Sequence, residues 1–260
     1  RCLVKIGGFF MRRFYRASIA LIMMLTIAAL VWPTAPQAPV HYQPESTQTA
    51  DIYSDYAPTG MTAVARRSRA TSVYINVVKN NGSSGMASGT YGTYGGYTVV
   101  ITAAHVVDDC SAIIISSYNG EMETAQVAYL DIEADIAVLY VDPMRSMPQR
   151  RFDFLNAKRD MIGKSVVYSG NPNRIGLLTI YGSVAGYNYN RMIIHSYAWM
   201  GASGSGVFDS RGGFIGVVSA INIGQWLMPQ LIEDVVYVAP IYYINEGALL
   251  GTLEVLHDAI

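Results

Sequence analysis

From Thr71 onward the chain is a succession of short Val-, Ile- and Tyr-rich runs separated by clusters of Gly, Asn, Asp and Ser, and no helical period interrupts them. That pattern constrains the fold more than any other feature. Residues 72–79, 97–102, 112–116, 125–130, 136–141, 165–168, 176–187, 191–197, 205–208 and 214–222 read as strands, because β-branched and aromatic residues suit a pleated, half-buried surface. Asn80-Asn81-Gly82, Tyr118-Asn119-Gly120 and Ser210-Arg211-Gly212-Gly213 supply turn chemistry between them. Strands at this spacing without helices predict barrels or sandwiches. Residues 82–96 are glycine-rich but lack the lysine of a phosphate loop, and read as a turn. Between Asp142 and Met161 the strand signal fades around Pro143 and Pro148, which marks a connection between two β units. Residues 240–250 read as a terminal helix opened by Pro240, with 251–260 as a tail.

The N-terminal quarter is different. Residues 17–32 carry no charge, whereas Arg1, Lys5, Arg12, Arg13 and Arg16 precede them and no acid occurs before Glu45. Basic residues on one flank predict that this flank stays in the cytoplasm and that everything after Trp32 is exported. As a helix the segment spans roughly 24 Å, short of the roughly 30 Å hydrocarbon core, although Phe14, Tyr15 and a snorkelling Arg16 extend it. The segment fits a retained single-pass anchor, with membrane contact through 17–32. It also fits a signal cleaved after Ala35 or Ala38, although Pro36 or Pro39 would then follow the cut. Residues 1–16 form a basic leader in which Met11 reads as an initiator. Residues 33–70, with Pro33, Pro36, Pro39, Pro44 and Pro58, read as an extended linker that buries too little apolar surface to fold. The expected organisation is thus leader, apolar segment, linker, then a β domain over 71–250 with one unit at 71–145 and a second at 160–240.

Composition excludes some functions. The net charge is -1 and the second half has no basic run, so nucleic acid finds no electrostatic footprint. The two cysteines, Cys2 and Cys110, flank the apolar segment and cannot pair if it crosses a membrane. No cluster has metal-ligand spacing, and no cofactor is implied.

Three local patterns carry chemistry. They are Thr102-Ala103-Ala104-His105, then Asp135-Ile136-Ala137-Val138-Leu139, then Gly201-Ala202-Ser203-Gly204. A serine hydroxyl is a weak nucleophile at neutral pH and needs an adjacent base, a role that imidazole fits. A buried carboxylate holds that imidazole in one tautomer and stabilises its cation. Asp135 opens an apolar run, so its charge sits at the edge of the core and calls for a hydrogen-bonding partner, for which His105 is the candidate. Asp131 reads instead as a turn residue, and Asp108 and Asp109 as a solvated loop. The glycines around Ser203 allow a tight bend, and the amides of Gly201 and Ser203 are the candidate oxyanion donors. His195 lies on the strand before Ser203 and reads first as a satisfied strand histidine, with a supporting or pocket role as the alternative; nothing is assigned to His41 and His257.

These residues resemble the trypsin-like serine proteases, and most closely the disulfide-free bacterial high-temperature-requirement (Deg-type) branch, without a PDZ domain in these 260 residues. The resemblance covers residues 71–222. It implies an all-β fold of two six-stranded antiparallel barrels, His105 and Asp135 on the first, Ser203 on the second, and a polypeptide substrate in the cleft between them. It also implies a specificity pocket near Tyr197, with Ser219, Ala220 and Ile221 along one wall, their backbone pairing with the substrate. No acid stands there, which predicts small or medium apolar side chains in the pocket. Val106 stands where secreted trypsins carry a cysteine. Ala202 replaces the acid that pairs with a new N-terminus in zymogen activation, so that route is not expected. Ser205 and Gly206 replace the family's glycine and proline. The competing function is a membrane-anchored binding or scaffold protein on an inactive protease fold; the presence of all three catalytic residue types speaks against it.

Overall fold

The structure is a computed structural model that describes residues 60–154, 160–172, 175–225 and 229–259, with side chains left undescribed over 222–225 and 229–233. The basic leader, the apolar segment 17–32 and the linker as far as residue 59 lie outside the described residues. Among the described residues no helix is long and apolar enough to cross a membrane.

Two closed antiparallel barrels of six strands each make up the fold. The first holds β1 (Ser72–Lys79), β2 (Ser84–Tyr94), β3 (Tyr97–Thr102), β4 (Cys110–Ser116), β5 (Met122–Asp131) and β6 (Ile136–Val141), in the order β1-β2-β3-β6-β5-β4. The second holds β7 (Ser165–Gly170), β8 (Leu178–Asn188), β9 (Arg191–His195), β10 (Gly206–Asp209), β11 (Phe214–Gln225) and β12 (Pro229–Pro240), in the order β10-β11-β12-β9-β8-β7. Closure removes the sheet edges that would otherwise template aggregation. Helix α1 (Gly60–Thr71) precedes the first barrel, a single helical turn α2 (Ala104–Val107) follows β3, and α3 (Glu246–Asp258) ends the chain.

Burial explains the sequence pattern strand by strand. β1 alternates, with Val73, Ile75 and Val77 turned into the first barrel. β3 and β6 are buried almost throughout, which is why Tyr97–Thr102 and Ile136–Val141 read as nearly unbroken apolar runs rather than alternating ones. One face of each fills the first barrel with Val100, Ala137 and Leu139. The other sends Val99, Ile101, Ile136 and Val138 into a second apolar layer with Phe208, Phe214 and Val217 of the other barrel. The interior of the second barrel is a separate core around Tyr168, Met192, Ile194, Ile215 and Val238.

Four expectations need correction. Residues 82–96 are not a turn: β2 occupies Ser84–Tyr94, and its glycines are places of close packing. A Cβ on Gly89 would lie 2.7 Å from Val100, and one on Gly92 would lie 2.4 Å from the Arg150 carbonyl. The linker does not reach residue 70. Residues 60–71 form α1, whose small apolar face of Val64, Ala65, Ser68 and Thr71 is buried while Arg66, Arg67 and Arg69 stay in solvent. The terminal helix does not begin at Pro240. Pro240 closes β12 and leads a 3-10 turn (Ile241–Tyr243), and α3 starts after Asn245, whose side chain accepts a hydrogen bond from the Ala248 amide. Nor is 251–260 a separate tail: α3 runs through it as far as Asp258, with Leu249 and Leu253 fully buried. His257 hydrogen-bonds Tyr140 of the first barrel at 3.1 Å, and the Tyr94 hydroxyl bonds Glu246.

Candidate active site

His105 lies on the one-turn helix that leaves β3. Lys79 secures that turn from β1, donating to the carbonyls of His105 and Val106 at 3.4 and 3.3 Å. The His105 side chain remains half exposed, whereas Asp135 beside it is buried. The imidazole Nδ1 lies 3.0 and 3.1 Å from the two carboxylate oxygens of Asp135, and the His105 backbone amide donates to the same group at 3.0 Å. In the tautomer that donates Nδ1–H to the carboxylate, Nε2 carries the lone pair, the form a general base requires. Asp135 sits at the turn into β6 with φ +53, a left-handed conformation that aspartate tolerates better than most residues.

A third group completes the carboxylate's surroundings. The Ser219 hydroxyl, buried on β11 of the other barrel, donates to the second oxygen of Asp135. Burial by itself pushes the Asp135 carboxyl up. The hydrogen bonds from the His105 ring, the Ser219 hydroxyl and the His105 amide outweigh it and hold the group below its ordinary value. A depressed carboxyl contributes stability that is complete above the unfolded value, about 3.9, and is lost as pH falls through the folded value. Ser219→Ala removes one of these donors and raises the carboxyl toward its ordinary range. Urea titrations are therefore expected to show a loss of about 1–3 kcal/mol at neutral pH, with the acid limb of the stability curve moved to higher pH. An unchanged acid limb would mean that Ser219 does not hold the carboxylate.

Ser203 occupies the loop between β9 and β10. Its carbonyl accepts from the Ser88 amide of β2 at 3.0 Å. The next residue, Gly204, has φ +84 and lies so close to the first barrel that a Cβ there would be 2.0 Å from Thr102 Oγ1 and 2.1 Å from the Ser88 carbonyl. The Gly204 amide donates to Val218, the neighbour of Ser219, at 2.7 Å. The serine loop is thus bonded to β2, packed close against the end of the strand that delivers His105, and bonded to the strand that supports Asp135. No hydrogen bond joins Ser203 Oγ to the imidazole; such contacts are commonly long before substrate arrives and tighten in the complex. Among the described residues no acceptor engages the amides of Gly201 and Ser203, while the intervening Ala202 amide is bonded to Trp199 at 2.9 Å. Both amides are therefore open to an acceptor from outside the described residues, the property required of oxyanion donors.

This sequence matches the family model of the trypsin-like peptidase domain over residues 83–217, just over half of its length. The chain belongs to that family. This trypsin-like peptidase domain is 27% identical over 135 residues to a probable periplasmic serine endoprotease, DegP-like, of Chlamydia trachomatis serovar D, a match covering 48% of this chain and 27% of the relative. The chain therefore matches only about a quarter of that relative's length. It also superposes on the crystal structure of the serine endoprotease from Yersinia pestis with a TM-score of 0.57 at 21% identity, over 78% of this chain and 67% of the other, which shows the shared fold.

The remaining residues singled out in the sequence are placed as follows. Asp131 accepts from the Ala134 amide at 2.8 Å and shapes the turn that presents Asp135. Asp109 bonds Asn80 on the surface. His195 pairs with Asp234 at 3.7 Å on the exposed face of β9. Tyr197 is about half exposed, and its carbonyl accepts from the buried Tyr168 hydroxyl. Ser219 turns its hydroxyl to Asp135, a contact that sequence pattern alone did not signal. Ala220 is exposed, and Ile221 is partly buried. β10 pairs with β11 from Phe214 only as far as Val217, so the side of β11 beyond Val218 that faces away from β12 has no described strand beside it. Val106 is buried in the first barrel and Ala202 in the second.

Proposed function

We propose that this peptidase domain is a serine endopeptidase in which Ser203 attacks the scissile carbonyl, His105 takes and returns the proton, and Asp135 orients the imidazole. The amides of Gly201 and Ser203 receive the negative oxygen. The observation that carries the reading is the His105–Asp135–Ser219 hydrogen-bonded set beside a serine loop with two uncommitted amides. In the reaction the Ser203 oxygen bonds to the carbonyl carbon as its proton passes to His105 Nε2. Collapse of the tetrahedral adduct expels the amine, which takes that proton, and leaves an acyl-enzyme. Water then repeats the sequence and releases the acid.

The substrate is a polypeptide laid as an added strand along the free side of β11 at Ser219, Ala220 and Ile221. Tyr197 lies near the floor of the specificity pocket, which favours small or medium apolar side chains because no acid stands at 197 or 219–221 to hold Lys or Arg. The charge asymmetry around residues 17–32 and the periplasmic designation of the Chlamydia relative support export of the domain, tethered by that segment or released from it. A fluorophosphonate probe is expected to label Ser203 in the folded wild type and not in Ser203→Ala, read by mass spectrometry of the modified peptide. A folded wild type that resists labelling would favour a binding protein on an inactive fold.

A further inference from the structure

Ser88, in the middle of β2, has all its polar atoms committed around the serine loop. It is completely buried. Its amide donates to the Ser203 carbonyl at 3.0 Å, and its carbonyl accepts from Thr102 Oγ1 at 2.9 Å. Its hydroxyl donates to the Gly201 carbonyl at 2.8 Å and accepts from the Asn171 amide at 2.9 Å. One residue of the first barrel therefore grips the second barrel's loop on both sides of Ala202. We infer that the Ser88 hydroxyl is a positioning residue that sets the oxyanion pocket by fixing the peptide plane between Gly201 and Ala202; the inference rests on the endopeptidase reading.

The geometry supports this role step by step. The Gly201 carbonyl and the Ala202 amide belong to one planar unit. Ser88 holds the oxygen end and the Trp199 carbonyl holds the nitrogen end at 2.9 Å. The next plane, Ala202 to Ser203, is held at its oxygen by the Ser205 amide at 3.0 Å. With both carbonyls tied, rotation of these planes is blocked: the second carries the Ser203 amide, and the first fixes one side of the hinge at Gly201 about which the Gly201 amide, in the preceding Met200–Gly201 plane, turns. Without the hydroxyl, the part-buried Gly201 oxygen and the buried Asn171 amide both lose a partner, and the first plane is released to rotate toward another donor. The reason for the Ser88 hydroxyl is therefore geometric: it never touches substrate, yet the aim of the two donors depends on it.

Ser88→Ala in the full chain is expected to lower kcat for a peptide anilide by about 10–100-fold, less than the about 10²–10³ of losing an oxyanion donor outright, with KM within about twofold. The fluorophosphonate labelling rate should fall in parallel, affinity for a peptide aldehyde should drop more than affinity for the uncleaved peptide, and the amide resonances of Gly201 and Ser203 should shift. A wild type that is labelled, together with a folded Ser88→Ala labelled at the same rate, overturns the Ser88 inference and leaves the endopeptidase reading standing. A wild type that is not labelled overturns that reading, and the two amide resonances then decide the positioning role on their own: unshifted, they reject it. If the alanine variant does not fold, Ser88→Cys keeps a weaker donor, and a wild-type kcat in that variant rejects the inference equally.

Discussion

Replacing His105 with alanine is expected to lower kcat by on the order of 10⁶-fold, the scale seen when one member of a serine–histidine pair is removed. The fold should survive, because the ring is half exposed and packs little; its bonds are the two to Asp135. The backbone amide of residue 105 still donates to that carboxylate, and Ser219 still covers its other oxygen, so the acid is not left without partners. Stability should fall by only about 1 kcal/mol, the usual net worth of a hydrogen bond. The separation of a very large kinetic loss from a small thermodynamic one is the signature of a side chain kept for chemistry. Pre-steady-state hydrolysis of an activated ester, alongside urea unfolding of the same sample, measures both. Retention of more than about one part in a hundred of the activity would remove His105 from the reaction.

Gly204→Ala is expected to damage both. Two costs add: a left-handed backbone angle for a residue with a Cβ, about 1–2 kcal/mol, and overpacking, about 1–3 kcal/mol. The overpacking is severe here because one of the atoms in the way, the Ser88 carbonyl, belongs to the backbone and cannot swing aside. Relief would require the serine loop to move off the first barrel, which also carries Ser203 away from His105, so activity should fall at least 100-fold. Gly120→Ala is the control: it has nearly the same angle, φ +83, but nothing within 4 Å of the added carbon. That variant should lose about 1–2 kcal/mol and no activity. Equal losses in the two variants would refute the close-approach argument.

The fold was legible wherever the strands obeyed the simple rules. β1, β3 and β6 stand where periodicity and β-branched content put them; turn spacing without helices left barrels and sandwiches open, and the resemblance to trypsin-like proteases implied the two barrels. β2 was hidden because small residues dominate it. Its glycines are there for the side chains and backbone pressed against them, which no local pattern reveals. β12 was missed because Pro229 and the acidic pair Glu233-Asp234 mask its second half, where Val236 and Val238 face the core. α1 was missed because its buried stripe is made of small residues beside three arginines. At the site, each motif could be found because its residue types are chemically unusual in an apolar setting. Ser219 and Ser88 could not be ranked this way. A serine in a strand is ordinary, and only the coordinates reveal that their hydroxyls meet a carboxylate and a loop carbonyl.

The docking of α3 has a consequence for biosynthesis. The bond from Tyr94 to Glu246 spans 152 residues and that from Tyr140 to His257 spans 117, so the first barrel is sealed by an element synthesised long after its own strands. Contacts this distant along the chain make folding slow, since loop closure has to come before any gain from packing. Until Leu249 and Leu253 arrive, the apolar layer they cover is open to water. A nascent chain of this kind cannot complete its first barrel until α3 has emerged, so the domain stays loose through most of its synthesis.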